Sequence, residues 1–122
     1  YDDFIQRVHR CRSDPARSEA VQKCCDYIEM NLGEKIRASD LASLAGYSEY
    51  YMTRKFKEET GYFISDYVKF ARIERAKLLL QSTDLSILEI AGRLGFATRS
   101  YFSQAFREVT GMTPTQFREK ER

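Results

Sequence analysis

Two separated stretches of the chain gather side chains suited to a patterned polar surface. The first holds Ser48, Glu49, Tyr50, Thr53, Arg54 and Lys57; the second holds Thr98, Arg99, Ser100, Ser103, Gln104 and Arg107. An arginine guanidinium can fork onto two acceptors at once, as the guanine edge presents them. A glutamine amide offers an acceptor beside its donors, which matches adenine, and hydroxyls can serve either way. Arginine and lysine also neutralise phosphate. A merely solvated helix face is usually dominated by Lys and Glu. Here hydroxyls, an amide, tyrosine and arginine cluster instead, which suits binding to double-stranded nucleic acid better than bond-making chemistry.

Parts for catalysis are scarce. His9 is the single histidine, close to the N-terminus, with no Ser or Cys nucleophile pattern beside it. It reads as a solvated surface residue. Cys11, Cys24 and Cys25 are odd in number and two are adjacent. There is no CxxC pair and no second histidine, so a zinc site lacks its ligand set. The same count argues against a disulfide scaffold and favours the cytoplasm. Cys24 and Cys25 fall on an apolar helix face and read as small core residues. The expectation is a chain that is not an enzyme and uses no metal or other cofactor.

At 122 residues the chain is one domain or two very small ones. Hydrophobic residues at 43% against 31% charged leave enough apolar surface for a folded core. No apolar run approaches the ~20 residues that span a bilayer, and residues 1–16 lack the apolar segment of a signal peptide. No membrane partner is expected. The net charge of +2 says little by itself, but it is unevenly spread. Residues 1–49 carry 7 basic and 9 acidic groups, whereas residues 50–80 carry 7 and 4. Residues 81–96 net −1, and residues 97–122 carry 5 basic and 3 acidic groups. Positive charge thus falls in two blocks, each overlapping one of the polar stretches.

The elements that must hold these stretches are helical. Proline occurs only at Pro15 and Pro114. From Ser18, Val21, Cys24, Cys25, Ile28 and Leu32 recur at helical spacing until Gly33. Ser39 is read as the N-cap of a short helix with Leu41, Leu44 and Ala45 inward, ended by Gly46. Ser48 caps the next helix, with Tyr51, Met52 and Phe56 inward and Gly61 beyond its end. A long helix is expected from about Ile64 to Gln81. Ser86 and Glu89 open another short helix, with Ile87, Ile90, Ala91 and Leu94 inward and Gly95 as its stop. Thr98 caps a helix carrying Tyr101, Phe102, Ala105, Phe106 and Val109 inward. Thr113-Pro114-x-Gln116 starts a last one. Seven helices and no convincing strand give an all-α class. Phe4, Ile5, Val8 and Cys11 suggest a separate amphipathic piece, broken off at Ser13-Asp14-Pro15.

The chain also repeats itself. Leu41-Ala42-x3-Gly46-Tyr47 matches Ile90-Ala91-x3-Gly95-Phe96. One inserted residue later, Tyr51/Tyr101, Phe56/Phe106, Glu58/Glu108, Thr60/Thr110 and Gly61/Gly111 are identical. Each copy is a short helix, a glycine turn and a longer capped helix, the pattern of a helix-turn-helix. One copy could belong to an ordinary bundle. Two copies with matched polar faces are harder to dismiss as coincidence.

Over about residues 18–120 the sequence resembles the AraC/XylS family of bacterial transcription regulators. The resemblance is carried by Arg72-Ile73-x2-Ala76-x2-Leu79-Leu80, by Ser86-Ile87-x2-Ile90-Ala91-x3-Gly95-Phe96, and by Ser100-Tyr101-Phe102-x3-Phe106-Arg107-x3-Gly111-Met112-Thr113-Pro114. Gly46-Tyr47-Ser48-x2-Tyr51-Met52-x-Arg54-x-Phe56-Lys57-x3-Gly61 is similar to the family's first motif. The resemblance implies two homeodomain-like helix-turn-helix subdomains, at 18–62 and 83–122, joined by a central linker helix at 63–82. It implies reading helices at about 49–60 and 99–110 that enter successive major grooves; because Tyr50, Thr53 and Arg54 differ from Arg99, Ser103 and Gln104, the operator is expected to be asymmetric. Residues 1–17 would be a linker or the end of an upstream domain. The start at Tyr1 fits a fragment of a longer regulator, an activator among the options, whose missing N-terminal domain would bind any effector and which would work with RNA polymerase. Gly92 departs from the family's usual larger residue, at ~1 kcal/mol of helix propensity. Two other readings compete: a helical module that binds protein through the same faces, and a DNA-repair methyltransferase, for which the clustered cysteines are missing.

Overall fold

In the computed structural model residues 18–121 are described. Among them are seven α-helices and no strand: α1 (Glu19–Met30), α2 (Ala38–Ala45), α3 (Glu49–Thr60), α4 (Ile64–Ser82), α5 (Ile87–Arg93), α6 (Arg99–Thr110) and α7 (Pro114–Glu121). The all-α class stands. His9, Cys11 and the expected piece at 1–17 lie outside the described residues. The chain divides into two compact units. One takes in the described residues up to Asn31 together with Ile36–Val68; the other takes in Leu32–Lys35 and the chain from Lys69 onward.

In the first unit α2 packs on α3, and α1 packs on both. Val21, Cys24, Ile28, Leu41, Met52 and Phe56 are fully buried between them. The Cys24 sulfur lies 3.8 Å from Met52 Sδ and 3.9 Å from the Leu41 carbonyl oxygen. Burial pushes its thiol up to about 11, so it packs as a small apolar group. Cys25 is also buried, as expected, but it is disulfide-bonded, which the sequence argument against a disulfide scaffold did not anticipate. Tyr67 closes the unit, its ring edge-on to Phe56 at 5.2 Å.

The second unit is built on a run of aromatic rings. Phe96 contacts Phe102 at 5.0 Å, Phe102 contacts Phe106 at 5.9 Å, and Phe106 contacts Phe117 at 5.4 Å. Ile73, Ala76, Leu80, Ile90 and Ala91 complete this core. Two arginines satisfy carbonyls that no helix pairs. Arg118 donates to Leu80 O and Thr83 O at the end of α4, both at 3.2 Å. Arg72 donates to Leu32 O at 2.9 Å and Glu34 O at 2.7 Å. Gly95, with φ 78°, turns the chain between α5 and α6. A Cβ there would lie 3.1 Å from the Arg72 guanidinium and 3.2 Å from the Leu32 carbonyl oxygen. Glycine is therefore required twice over, by dihedral and by space.

Three sequence expectations are corrected. α2 starts at Ala38 with Arg37, not Ser39, as N-cap. The Asp40 carboxylate accepts the Arg37 N–H at 3.2 Å, which makes Asp40 the third helical residue and moves the start back. Leu44, expected inward, is 45% exposed. At about 100° per residue it sits roughly 110° from the stripe centred on Leu41, Ala42 and Ala45. Tyr51 and Tyr101, also expected inward, are 46% and 56% exposed for the same reason: each lies about 120° from the buried Met52/Phe56 or Phe102/Phe106 line. Gly92 stays helical within α5, on its exposed side.

The caps of the two longer helices are where the sequence puts them. Ser48 Oγ accepts from Tyr51 N at 3.2 Å, and Thr98 Oγ1 accepts from Tyr101 N at 3.0 Å. Ser48→Ala or Thr98→Ala should each cost ~1 kcal/mol. That lowers the melting midpoint by about 4–8 °C in units of this size. An unmoved midpoint in calorimetry would mean that water satisfies those N–H groups equally well.

Candidate nucleic-acid interface

Each unit presents its longer helix after a tight glycine turn. In the first unit Gly46 at φ 79° separates α2 from α3. The buried side of α3, through Met52, Phe56 and Thr60, fixes its rotation about its own axis. Ser48, Glu49, Tyr50, Arg54 and Lys57 are then exposed and Thr53 half-buried, with Tyr50, Arg54 and Lys57 on the side away from the core. In the second unit Phe102, Ala105 and Phe106 do the same for α6. Thr98, Arg99, Ser100, Gln104 and Arg107 are exposed and Ser103 is half-buried. No sequence-expected site residue is swallowed by a core.

The faces have internal order. On α3, Tyr50, Arg54 and Glu58 stand at successive turns. The Arg54 guanidinium carbon lies 5.9 Å from the Tyr50 ring centre, and Arg54 Nη2 lies 3.8 Å from Glu58 Oε1. Lys57 Nζ donates to the Gly61 carbonyl at 3.3 Å and sits 4.5 Å from the Phe63 ring centre. On α6, Ser100, Gln104 and Glu108 occupy the matching turns. Gln104 Nε2 donates to Glu108 Oε1 at 3.4 Å, and Lys69 Nζ donates to Glu108 Oε2 at 2.9 Å. Bonds from Lys69 first, and from Gln104, hold the Glu108 carboxyl below the usual carboxylate range. Shallow depressions on the two helices are lined by Tyr50, Tyr51, Arg54, Lys55 and Glu58, and by Ser103, Gln104, Arg107, Glu108 and Thr113.

Sequence reasoning missed Tyr51 and Tyr101 as members of these faces. Tyr51 leans on Tyr47 at 4.7 Å, and Tyr101 leans on Phe96 at 5.7 Å. Each is a shelf at the start of its helix with one side wet. The available signal was residue type: a tyrosine, repeated in both copies, keeps its hydroxyl at the water side where a phenylalanine has nothing to keep there.

The geometry places one capped helix bearing arginine and hydroxyl side chains on each unit, with an amide, Gln104, on the second. A family model described as a helix-turn-helix domain matches residues 41–120, which covers both of these helices and the turns before them. A structure from Chromobacterium violaceum, a transcriptional regulator of the AraC-type DNA-binding-domain proteins, superposes with a TM-score of 0.79 at 30% identity, covering 84% of this chain and 91% of that one. The chain belongs to the AraC-type helix-turn-helix family. The DNA-binding domain of AdpA, solved in complex with a target DNA, is also similar: TM-score 0.80, 27% identity, 84% of this chain and 93% of that one. Among curated proteins, the bifunctional transcriptional activator/DNA repair enzyme AdaA of Bacillus subtilis is 36% identical over 102 residues, 84% of this chain and 48% of AdaA. The chain spans only 15% of an uncharacterized HTH-type transcriptional regulator of Staphylococcus aureus, to which it is 33% identical over 115 residues. This AraC-type domain is thus a DNA-binding module of the kind found within longer transcription regulators. None of its described helices is long and apolar enough to cross a membrane.

Proposed function

We propose that α3 and α6 of this AraC-type domain each read base edges in a major groove of double-stranded DNA, in two successive segments of one asymmetric site. The observation that carries the proposal is the repeated ladder on the two helices with different central residues, Arg54 on one and Gln104 on the other. Arg54 suits guanine and Gln104 suits adenine. Different readers imply different half-sites, so the site is not palindromic. Ser48 and Thr98, at the helix starts, orient N–H groups toward phosphate. Glu49, Tyr50, Thr53, Lys57, Arg99, Ser100, Ser103 and Arg107 complete the contact set, and Tyr51 and Tyr101 add hydroxyls at its edge. The whole protein regulates transcription in the cytoplasm, with RNA polymerase as partner and with any effector bound outside this domain.

We propose no repair activity for this domain. AdaA is both a transcriptional activator and a DNA repair enzyme, and this chain matches less than half of its length. Cys24, fully buried with its thiol raised to about 11, offers no accessible thiolate to accept an alkyl group.

Footprinting of the 122-residue chain on duplexes selected from a random pool tests the two-segment reading. The expected result is two protected segments about one helical turn apart, bound by one chain. Affinity should fall with salt at a slope of about −0.9 per neutralised phosphate. Protection of one segment only, or protection that appears only as a symmetric dimer, would refute it. A salt-insensitive complex would favour the protein-binding module instead.

A further inference from the structure

Glu108 lies on the second reading helix, one turn beyond Gln104, yet its charge is wrong for contacting a phosphate. Its surroundings explain what it does there. One carboxylate oxygen takes a hydrogen bond from Lys69 Nζ at 2.9 Å, which ties it to α4. The other oxygen takes one from Gln104 Nε2 at 3.4 Å. An ionised carboxylate only accepts, and the Lys69 ammonium keeps this one ionised. Turning the Gln104 amide over would set its oxygen against that carboxylate. The order of the amide's two ends is therefore fixed by Glu108.

We propose that Glu108 is a positioning residue that determines base specificity, by holding the Gln104 amide in the one orientation that reads adenine and rejects guanine. With one N–H spent on Glu108, Gln104 keeps one donor and its carbonyl oxygen for the groove. Adenine presents one acceptor, N7, and one donor, the N6 amino group, so both are satisfied. Guanine presents two acceptors, N7 and O6, and would need both amide hydrogens. One of its acceptors then faces an oxygen and stays unpaired, which is costly once water has left. A Gln104 freed from Glu108 could offer both hydrogens to guanine. The first copy has the same geometry in weaker form, with Glu58 one turn beyond Arg54 at 3.8 Å. Arginine has only donors and no order of ends to fix, so the device bears on specificity only in the second copy. This inference rests on the base-reading role proposed for Gln104 above.

The test is selection of bound duplexes from a random pool, with titration on the winning site and its single-base variants. It uses the 122-residue chain as wild type, Gln104→Ala, Glu108→Ala and Lys69→Met. Wild type should favour adenine over guanine at one position of the second segment, and Gln104→Ala should erase that preference. Glu108→Ala should reduce the adenine-over-guanine ratio at that position by about tenfold, the worth of one well-made hydrogen bond, and leave other positions alone. Lys69→Met should produce a smaller loss at the same position. All three residues are exposed or half-buried on the surface, so folding is retained. If Gln104→Ala changes no position, the reading of adenine by Gln104 fails and the role of Glu108 falls with it. If Gln104→Ala erases a preference but Glu108→Ala only raises affinity equally for every sequence, Gln104 reads DNA and Glu108 merely repels phosphate, which overturns the inference alone.

Discussion

Phe106→Ala is expected to destabilise the second unit by about 3–5 kcal/mol. Phe106 is fully buried and touches two other rings edge-on, Phe102 at 5.9 Å and Phe117 at 5.4 Å. Removing a buried phenylalanine costs about 3–5 kcal/mol through lost transfer energy and the cavity left behind. Whole domains are stable by only about 5–15 kcal/mol, so a large share of the unit's stability would be lost. The loss reaches function because Phe106 is what fixes the rotation of α6, and with it Gln104 and Arg107. Hydrogen exchange at the backbone amides of residues 99–110 should accelerate by about two to four powers of ten, the kinetic expression of that energy. Tyr101→Ala on the same helix should change stability by less than about 1 kcal/mol, since its ring is more than half exposed. Equal effects of the two substitutions would show that the ring chain through Phe106 does not hold the unit together.

The helices were legible because their local signals agree with their packing. At Ser48, Thr98 and the Thr113–Gln116 pair, a short polar side chain stands where an orphan N–H needs it. Thr113 N donates to Gln116 Oε1 at 3.0 Å while Gln116 N donates to Thr113 Oγ1 at 3.1 Å. The start of α2 was misplaced because two residues competed for the role. Ser39 is a common N-cap by type, but Asp40 reaches back to the Arg37 N–H, and a carboxylate near a helix start is the stronger partner. Leu44 shows a second limit. Apolar type does not specify burial in a helix too short to show its period twice.

The candidate faces were legible to the same extent as the helix rotation. Once Met52, Phe56, Phe102 and Phe106 are recognised as inward, the polar set follows by geometry. Positions at the margin of the stripe are not decided that way. Tyr51 and Tyr101 lie there, and whether a margin ring turns in or out depends on a neighbour, Tyr47 or Phe96, contributed by the preceding turn. The hydrogen bond from Lys69 to Glu108 spans 39 positions and has no sequence signature at all. Long-range polar partners of this kind emerge only from the packed structure.

Arg54→Ala is expected to abolish base preference at one position of the first segment, with an affinity loss of about 10- to 100-fold on the preferred site. Arg54 is the only residue on its face able to fork onto two acceptors, and its side chain is 65% exposed. A bidentate arginine–guanine contact discriminates by about 1–3 kcal/mol. Its ion pair with Glu58 is solvent-exposed and longer than a hydrogen bond, so it contributes little and can yield to a base. Selection of bound sequences should show guanine replaced by a mixture at that position, with the second segment unchanged, because Gln104 belongs to a different helix. Charge alone cannot reproduce this. Arg54→Lys keeps a cation able to meet phosphate but loses the planar fork. If Arg54 reads guanine, the lysine variant should lose preference almost as fully as the alanine variant while keeping the salt slope. If Arg54 only holds phosphate, lysine should restore affinity on every sequence, and alanine should lower it uniformly and reduce the slope by about one. The lysine variant therefore separates a reader from an anchor, and restored affinity without a restored preference to explain would assign Arg54 to the backbone.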